Sequence, residues 1–252
     1  TGCIASVAWA PGGTKFVTIS HDRSIIIWDP SGRRIHRVKN AHTDWITSVA
    51  WAPDGTKFVT GSHDGSIGIW SPSGNQLGRV TNAHTGTIQS ATWAPGGTKF
   101  VTGSYDGSIG IWSPSGNQLG RVTNAHTDCI NGVAWAPDGT KFVTTSEDRS
   151  IIIWDPSGHR IRRINNAHTG CIASVAWAPG GTKFVTISHD RSIIIWDPSG
   201  RRIHRVKNAH TDWITSAAWS PDGTKFVTGS YDGSIGIWSP SGNQLGRVTN
   251  AH

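Results

Sequence analysis

Residues 43–84 read TDWITSVAWAPDGTKFVTGSHDGSIGIWSPSGNQLGRVTNAH. Three turn signals divide this stretch: Ala52-Pro53-Asp54-Gly55, His63-Asp64-Gly65 and Ser71-Pro72-Ser73-Gly74. Proline presets one turn dihedral, glycine supplies a positive φ without steric cost, and Asp or Ser accepts bonds from the backbone that follows it. Between the turns lie short runs rich in Ile, Val, Thr, Phe and Trp: Trp45 to Trp51, Thr56 to Ser62, Ser66 to Trp70 and Asn75 to Val80. Runs of this length and composition predict β-strands. None carries an apolar period of about 3.6 residues long enough for a helix. Four short strands joined by tight turns make an antiparallel sheet.

The same unit fills the chain. Its 252 residues divide into six repeats of 42, starting at Thr1, Thr43, Thr85, Thr127, Thr169 and Thr211, each ending in Asn-Ala-His. One small sheet alone leaves apolar faces wet, so six need a shared core, and radial packing about an axis provides it. The expectation is an all-β β-propeller of six four-stranded antiparallel blades. A single domain over 1–252 would hold blades at 1–42, 43–84, 85–126, 127–168, 169–210 and 211–252.

Composition excludes several classes. Charged residues are 15%, with 31 Gly, 14 Trp and no Met, which does not fit a disordered polyelectrolyte, a coiled coil or a collagen. No stretch approaches about 20 apolar residues, so neither a spanning helix nor a membrane partner is expected. The net charge of +7 comes largely from Lys and Arg that recur in every repeat, which spreads it around a rim. Cys3, Cys129 and Cys171 share one repeat position. Residues a blade apart are too distant for a disulfide, so they read as apolar filling and favour a reducing, cytoplasmic compartment. The start at Thr1, without Met or a signal-like segment, suits a stretch that was processed, excised or designed from a longer reading frame.

The unit resembles the WD-repeat β-propeller family, whose signature is Gly-His followed some 30 residues later by Trp-Asp. Here the first slot is Ala-His, at His42, His84, His126, His168, His210 and His252. The second is Trp28-Asp29, Trp154-Asp155 and Trp196-Asp197 in three repeats, but Trp70-Ser71, Trp112-Ser113 and Trp238-Ser239 in the others. Residues 220–223 match the family's Ser-Pro-Asp-Gly turn in full. The resemblance implies a hydrogen-bonded tetrad in each blade. It would join one of those histidines to a tight-turn Asp (Asp22, Asp64, Asp106, Asp148, Asp190, Asp232) and a second-strand hydroxyl (Ser20, Ser62, Ser104, Ser146, Ser188, Ser230). The third-strand Trp (Trp28, Trp70, Trp112, Trp154, Trp196, Trp238) completes it. Which His joins which Asp depends on the repeat that owns the loop. Sixfold repetition of Ser, His and Asp argues against a hydrolase triad, because catalysis needs one asymmetric site.

Shared positions build the scaffold, so differences carry the functional information. Repeats 1, 4 and 5 have Arg23, Arg149 and Arg191 in the tight turn and Ile26, Ile152 and Ile194 on strand three, where repeats 2, 3 and 6 have Gly. His36, Arg162 and His204 on strand four are likewise replaced by Gly78, Gly120 and Gly246. Positions 26 and 36 are expected as near cross-strand neighbours, so the Gly repeats would carry outer-rim notches, unless half-repeats were simply copied together. Copying is visible, since repeat 5 equals repeat 1 at all 42 positions. Gly and Asp alternate with period two at the second and twelfth positions, which suits an even-bladed ring. A self-closed ring is expected, although the strand exchange by which the family usually closes is missing.

Two varied positions should face solvent on the family's partner-binding loop face. One is His21, His63, Tyr105, Glu147, His189 and Tyr231; the other includes Trp45 and Trp213. Exposed aromatics on a rigid face are typical interface anchors; packing about the central channel is the other reading for the two Trp. Histidines one blade apart are too separated for one metal ion, so neither metal nor cofactor is expected. The leading expectation is a non-enzymatic scaffold that binds protein or peptide. A multivalent glycan-binding propeller is the first alternative. Nucleic-acid binding through the basic rim of repeats 4 and 5 is the second, and self-association to complete or stack rings is open.

Overall fold

The computed structural model describes residues 2–251. The chain forms two compact units, Thr1–Ile130 and Asn131–His252. Among the described residues there are six four-stranded antiparallel sheets and no helix, and in each sheet the strands follow one another in chain order. Each sheet is a blade of about 42 residues. The second blade shows the pattern, with strands Ile46–Trp51, Phe58–Ser62, Ile67–Trp70 and Gln76–Val80.

Local chemistry sets these bounds. Gly55 donates to the Ala52 carbonyl at 2.9 Å with φ +69°, closing the first hairpin, and Gly65 donates to Ser62 with φ +72°, closing the second. In the third turn the residue after Trp acts as a cap. Asp29 Oδ1 accepts from the N–H groups of Ser31 and Arg33 at 3.0 and 2.9 Å. In the second blade Ser71 Oγ accepts from Asn75 N–H at 3.0 Å instead. Trp-Asp and Trp-Ser therefore close the same turn with different acceptors.

Alternation sends successive side chains of a strand to opposite faces, and both faces of a blade are apolar. In the first unit, Val17, Ile19, Ile25 and Ile27 of blade 1 bury against Ile46, Trp51, Phe58 and Trp70 of blade 2. Val59, Ile67 and Ile69 then bury against Ile88, Trp93, Phe100 and Trp112 of blade 3. The second unit repeats the scheme. Val143, Ile151 and Ile153 meet Ile172, Trp177 and Phe184, and Val185, Ile187 and Ile195 meet Ile214, Phe226 and Trp238. A polar stitch accompanies three of these four layers, where the first-strand Trp donates backwards: Trp51 Nε1 to the Ala8 carbonyl, Trp93 to Ala50 and Trp219 to Ala176, each at 3.2 Å. In the layer of blades 4 and 5 the buried Trp177 Nε1 has no partner among the described residues.

The register corrects one expectation. Position 26 pairs with 37, not 36: Ile26 faces Arg37, Ile194 faces Arg205 and Gly68 faces Arg79. The expected notches are also filled. A Cβ on Gly68 would lie 2.5 Å from Trp70 Nε1 and 2.8 Å from Thr60 Oγ1, so the indole occupies the space that glycine leaves.

Candidate functional site

The tight turn between strands two and three lies beside the start of strand one. His21 N–H donates to the Cys3 carbonyl at 3.0 Å, His63 to Trp45 at 2.8 Å and Tyr105 to Thr87 at 2.9 Å. These bonds put the two varied positions side by side on one rim of each blade. Between blades the rings then touch. His21 stacks on Trp45 with centroids 4.5 Å apart and planes at 12°, and His63 meets the same indole edge-on at 5.8 Å. Asp44 fixes the segment, its Oδ1 accepting from Trp45 N–H at 2.7 Å and its Oδ2 lying 3.5 Å from His63 Nδ1. The rings line a groove of about 450 Å³ together with Thr47, Gln89 and Tyr105. Trp45 remains about half exposed and Tyr105 is exposed.

The second unit carries a related cluster. His189 stacks on Trp213 at 4.3 Å and 7°, and Tyr231 lies 6.1 Å from the same ring. Glu147 occupies the corresponding turn position of blade 4 and is half-buried. Thr47 and Gln89 were not singled out from the sequence. A signal was present, because the fifth repeat position reads Ala5, Thr47, Gln89, Asn131, Ala173 and Thr215 between nearly constant neighbours.

The histidine loops form a second set of sites, at the joints between blades. His168, the last residue of repeat 4, reaches into blade 5. Its Nε2 lies 2.8 Å from Thr186 Oγ1, which also accepts from Trp196 Nε1 at 2.8 Å. Its Nδ1 lies 3.1 Å from Ser192 Oγ and 3.2 Å from Asp190 Oδ2. Ser192 Oγ donates to Asp190 Oδ1 at 2.6 Å, and Arg205 closes the other side at 3.0 Å. Each loop His therefore serves the next repeat: His42 with Asp64, His84 with Asp106 and His210 with Asp232 follow the same plan. His252 lies outside the described residues. The second-strand hydroxyl differs from the expected one. Thr60, Thr102, Thr144, Thr186 and Thr228 receive the Trp bond, because the register sets each opposite the residue two before the Trp, as Thr60 faces Gly68, within reach of the indole N–H. Ser62, Ser104 and Ser188, two residues on, instead accept the N–H of the following Asp.

Electrostatics follow burial. Burial alone would raise the Asp190 carboxyl, but the bonds from His168, Ser192 and Thr169 outweigh it and hold the group far below the usual carboxylate range. Burial pushes His168 below the ordinary histidine value, with Asp190 opposing in part. These networks are closed on themselves, and each repeats from joint to joint. They hold blades together and leave the loop-face grooves as the chemically distinct surface.

A family model described as WD domain, G-beta repeat matches the chain six times, at residues 1–29, 33–71, 75–113, 117–155, 159–197 and 201–239. The chain belongs to the WD40 family. Each full match runs from the outer strand of one blade through the third strand of the next, so the WD40 unit contains the histidine loop together with the blade that receives it. WD40 repeats generally mediate protein–protein interaction and are typically non-enzymatic scaffolds. Among curated proteins, none matches this chain.

Proposed function

We propose that this chain is a non-enzymatic scaffold that captures an extended protein or peptide segment along its loop face. The groove of His21, Trp45, His63 and Tyr105 carries the reading, since aromatic rings held by neighbouring blades present contact area at little entropic cost. The polar Thr47 and Gln89 beside them suit a peptide backbone, which needs both donors and acceptors. The His189, Trp213 and Tyr231 cluster offers a second anchor of the same chemistry. Flat stacking of a sugar on Trp45 is less well supported, because His21 covers one ring face and His63 approaches the ring by its edge. The basic rim is partly neutralised locally, with Arg33 bonded to Asp29 and Arg201 to Asp197, each at 3.1 Å.

The test begins with peptides selected from a random library against the chain, with affinities measured by calorimetry. Trp45→Ala combined with Tyr105→Ala should weaken the best binder by about 30-fold, equivalent to about 2 kcal/mol. Far-ultraviolet circular dichroism should be unchanged. Affinity within a factor of two of the parent would sink the groove as the binding site.

A further inference from the structure

The joint between blades 4 and 5 gathers three arginines. Arg162 lies on the last strand of blade 4, Arg160–Ile164, while Arg201 and Arg202 lie where the last strand of blade 5, Arg202–Val206, begins. Together they line a pocket of about 390 Å³ whose apolar side includes Ile164 and Ala167. The whole pocket belongs to the second compact unit. At the matching positions repeats 5 and 6 supply His204, Asn243 and Gln244, and no other pair of successive repeats supplies three arginines. A chain built by repetition thus holds one asymmetric cluster of charge.

The donors are held in place. The blade 5 turn presses on blade 4 at Gly200, which has φ +82°. A Cβ there would lie 2.8 Å from Ile153 Cδ1, 2.9 Å from Ile164 Cδ1 and 3.6 Å from the Arg162 stem. Arg162 Nη1 donates to the Ser199 carbonyl of the same turn at 3.1 Å. Asp197 fixes Arg201, with Nε 3.1 Å from Oδ2 and the backbone N–H 2.9 Å from Oδ1, which leaves the terminal nitrogens for another acceptor. Asp197 also balances that guanidinium. Arg162 and Arg202 have no carboxylate partner among the described residues, so two positive charges stand unbalanced beside the pocket.

We infer that this pocket binds a phosphate monoester, carried by a small molecule or by a phosphorylated side chain, with Arg162, Arg201 and Arg202 on its oxygens. A monoester has a charge of about −2 and three acceptor oxygens, which matches two unbalanced guanidiniums and a third already positioned. Guanidinium forks bond such oxygens in pairs, and donors fixed beforehand lose little freedom on binding. A carboxylate offers one charge and two oxygens. A nucleic acid strand would follow a continuous basic track, and His204, Asn243 and Gln244 end this one at the next joint. The pocket shares no residue with the loop-face groove.

Calorimetric titration of the chain of residues 1–252 with phenyl phosphate at about pH 8, where the monoester is a dianion, tests the inference. The expected result is one site per chain, with methyl phenyl phosphate, a diester of single charge, bound about tenfold more weakly. Arg162→Gln combined with Arg202→Gln should weaken phenyl phosphate by about tenfold or more. Both side chains are exposed, so circular dichroism should not change, and Trp45→Ala should leave the affinity as it is. A phosphotyrosine peptide that binds more tightly than phenyl phosphate assigns the site to a modified protein; one no tighter assigns it to small phosphates. Failure to saturate, several equivalent sites per chain, equal affinity for the diester, or indifference to the double substitution would each overturn the inference. A short oligothymidine that binds where phenyl phosphate does not would overturn it in favour of nucleic acid.

Discussion

Blades 1 and 5 have the same 42 residues and different interiors. In blade 5 the incoming face is dry, and Asp190 is held by an imidazole, a hydroxyl and a guanidinium. In blade 1 the same face is wet, and among the described residues Asp22 is bonded by Ser24 and Arg37. Identical sequence therefore does not make identical cores, because half of each blade's core belongs to its neighbour. Stability in such a chain resides in the joints between repeats as much as in the repeats.

The largest expected contrast lies in one tryptophan. Trp177→Ala should cost about 3–5 kcal/mol, since it empties a buried aromatic site. Trp9→Ala, measured in dilute solution, should cost less than about 1 kcal/mol. Urea titrations of the two variants make the comparison; equal losses would mean that blade 1 is covered in solution.

Acidification should separate the two blades next. Burial holds His168 below its ordinary value. As pH falls through about 6.5 the unfolded chain takes up a proton that the folded joint refuses, so stability present above that pH is lost below it. The depressed carboxylate of Asp190 adds a second loss below about pH 4, where the unfolded state binds protons that the folded state does not. Thermal midpoints should fall between pH 7.5 and 5 for the parent and fall less steeply for His168→Gln. Parallel slopes would remove His168 as the source.

The smallest expected effect should be the same in both blades. Arg23 and Arg191 sit at φ 66° and 64°, a region glycine occupies in the other repeat type. Arg23→Gly and Arg191→Gly should each stabilise by up to about 1 kcal/mol, because the strain is local. A measurable difference between the two would show that the turn senses the neighbouring blade.

The turns made the strands legible, and to within two residues. Strand two was expected from Thr56 and begins at Phe58, because Asp54 accepts from Thr56 and keeps it in the turn. The network hydroxyl was harder to place. Thr60 and Ser62 both lie on strand two and on the same face, and only the pairing register, which sets Thr60 opposite Gly68, selects Thr60. The stacking of His21 on Trp45 was out of reach for a related reason, since the partners sit in different repeats and meet only when blades pack. Exposure of Trp9 against burial of Trp177 is beyond any reading of the repeat itself, whose letters are the same in both places.

The backward bond from the first-strand Trp spans 43 residues at each of the joints where it forms. A coding unit with that property can gain or lose a copy by unequal recombination, and the inserted segment arrives with both of its faces already matched. No new interface has to evolve, so copy number can drift while every joint stays sound. An exact duplicate such as repeat 5 is the kind of mark that process leaves in a genome.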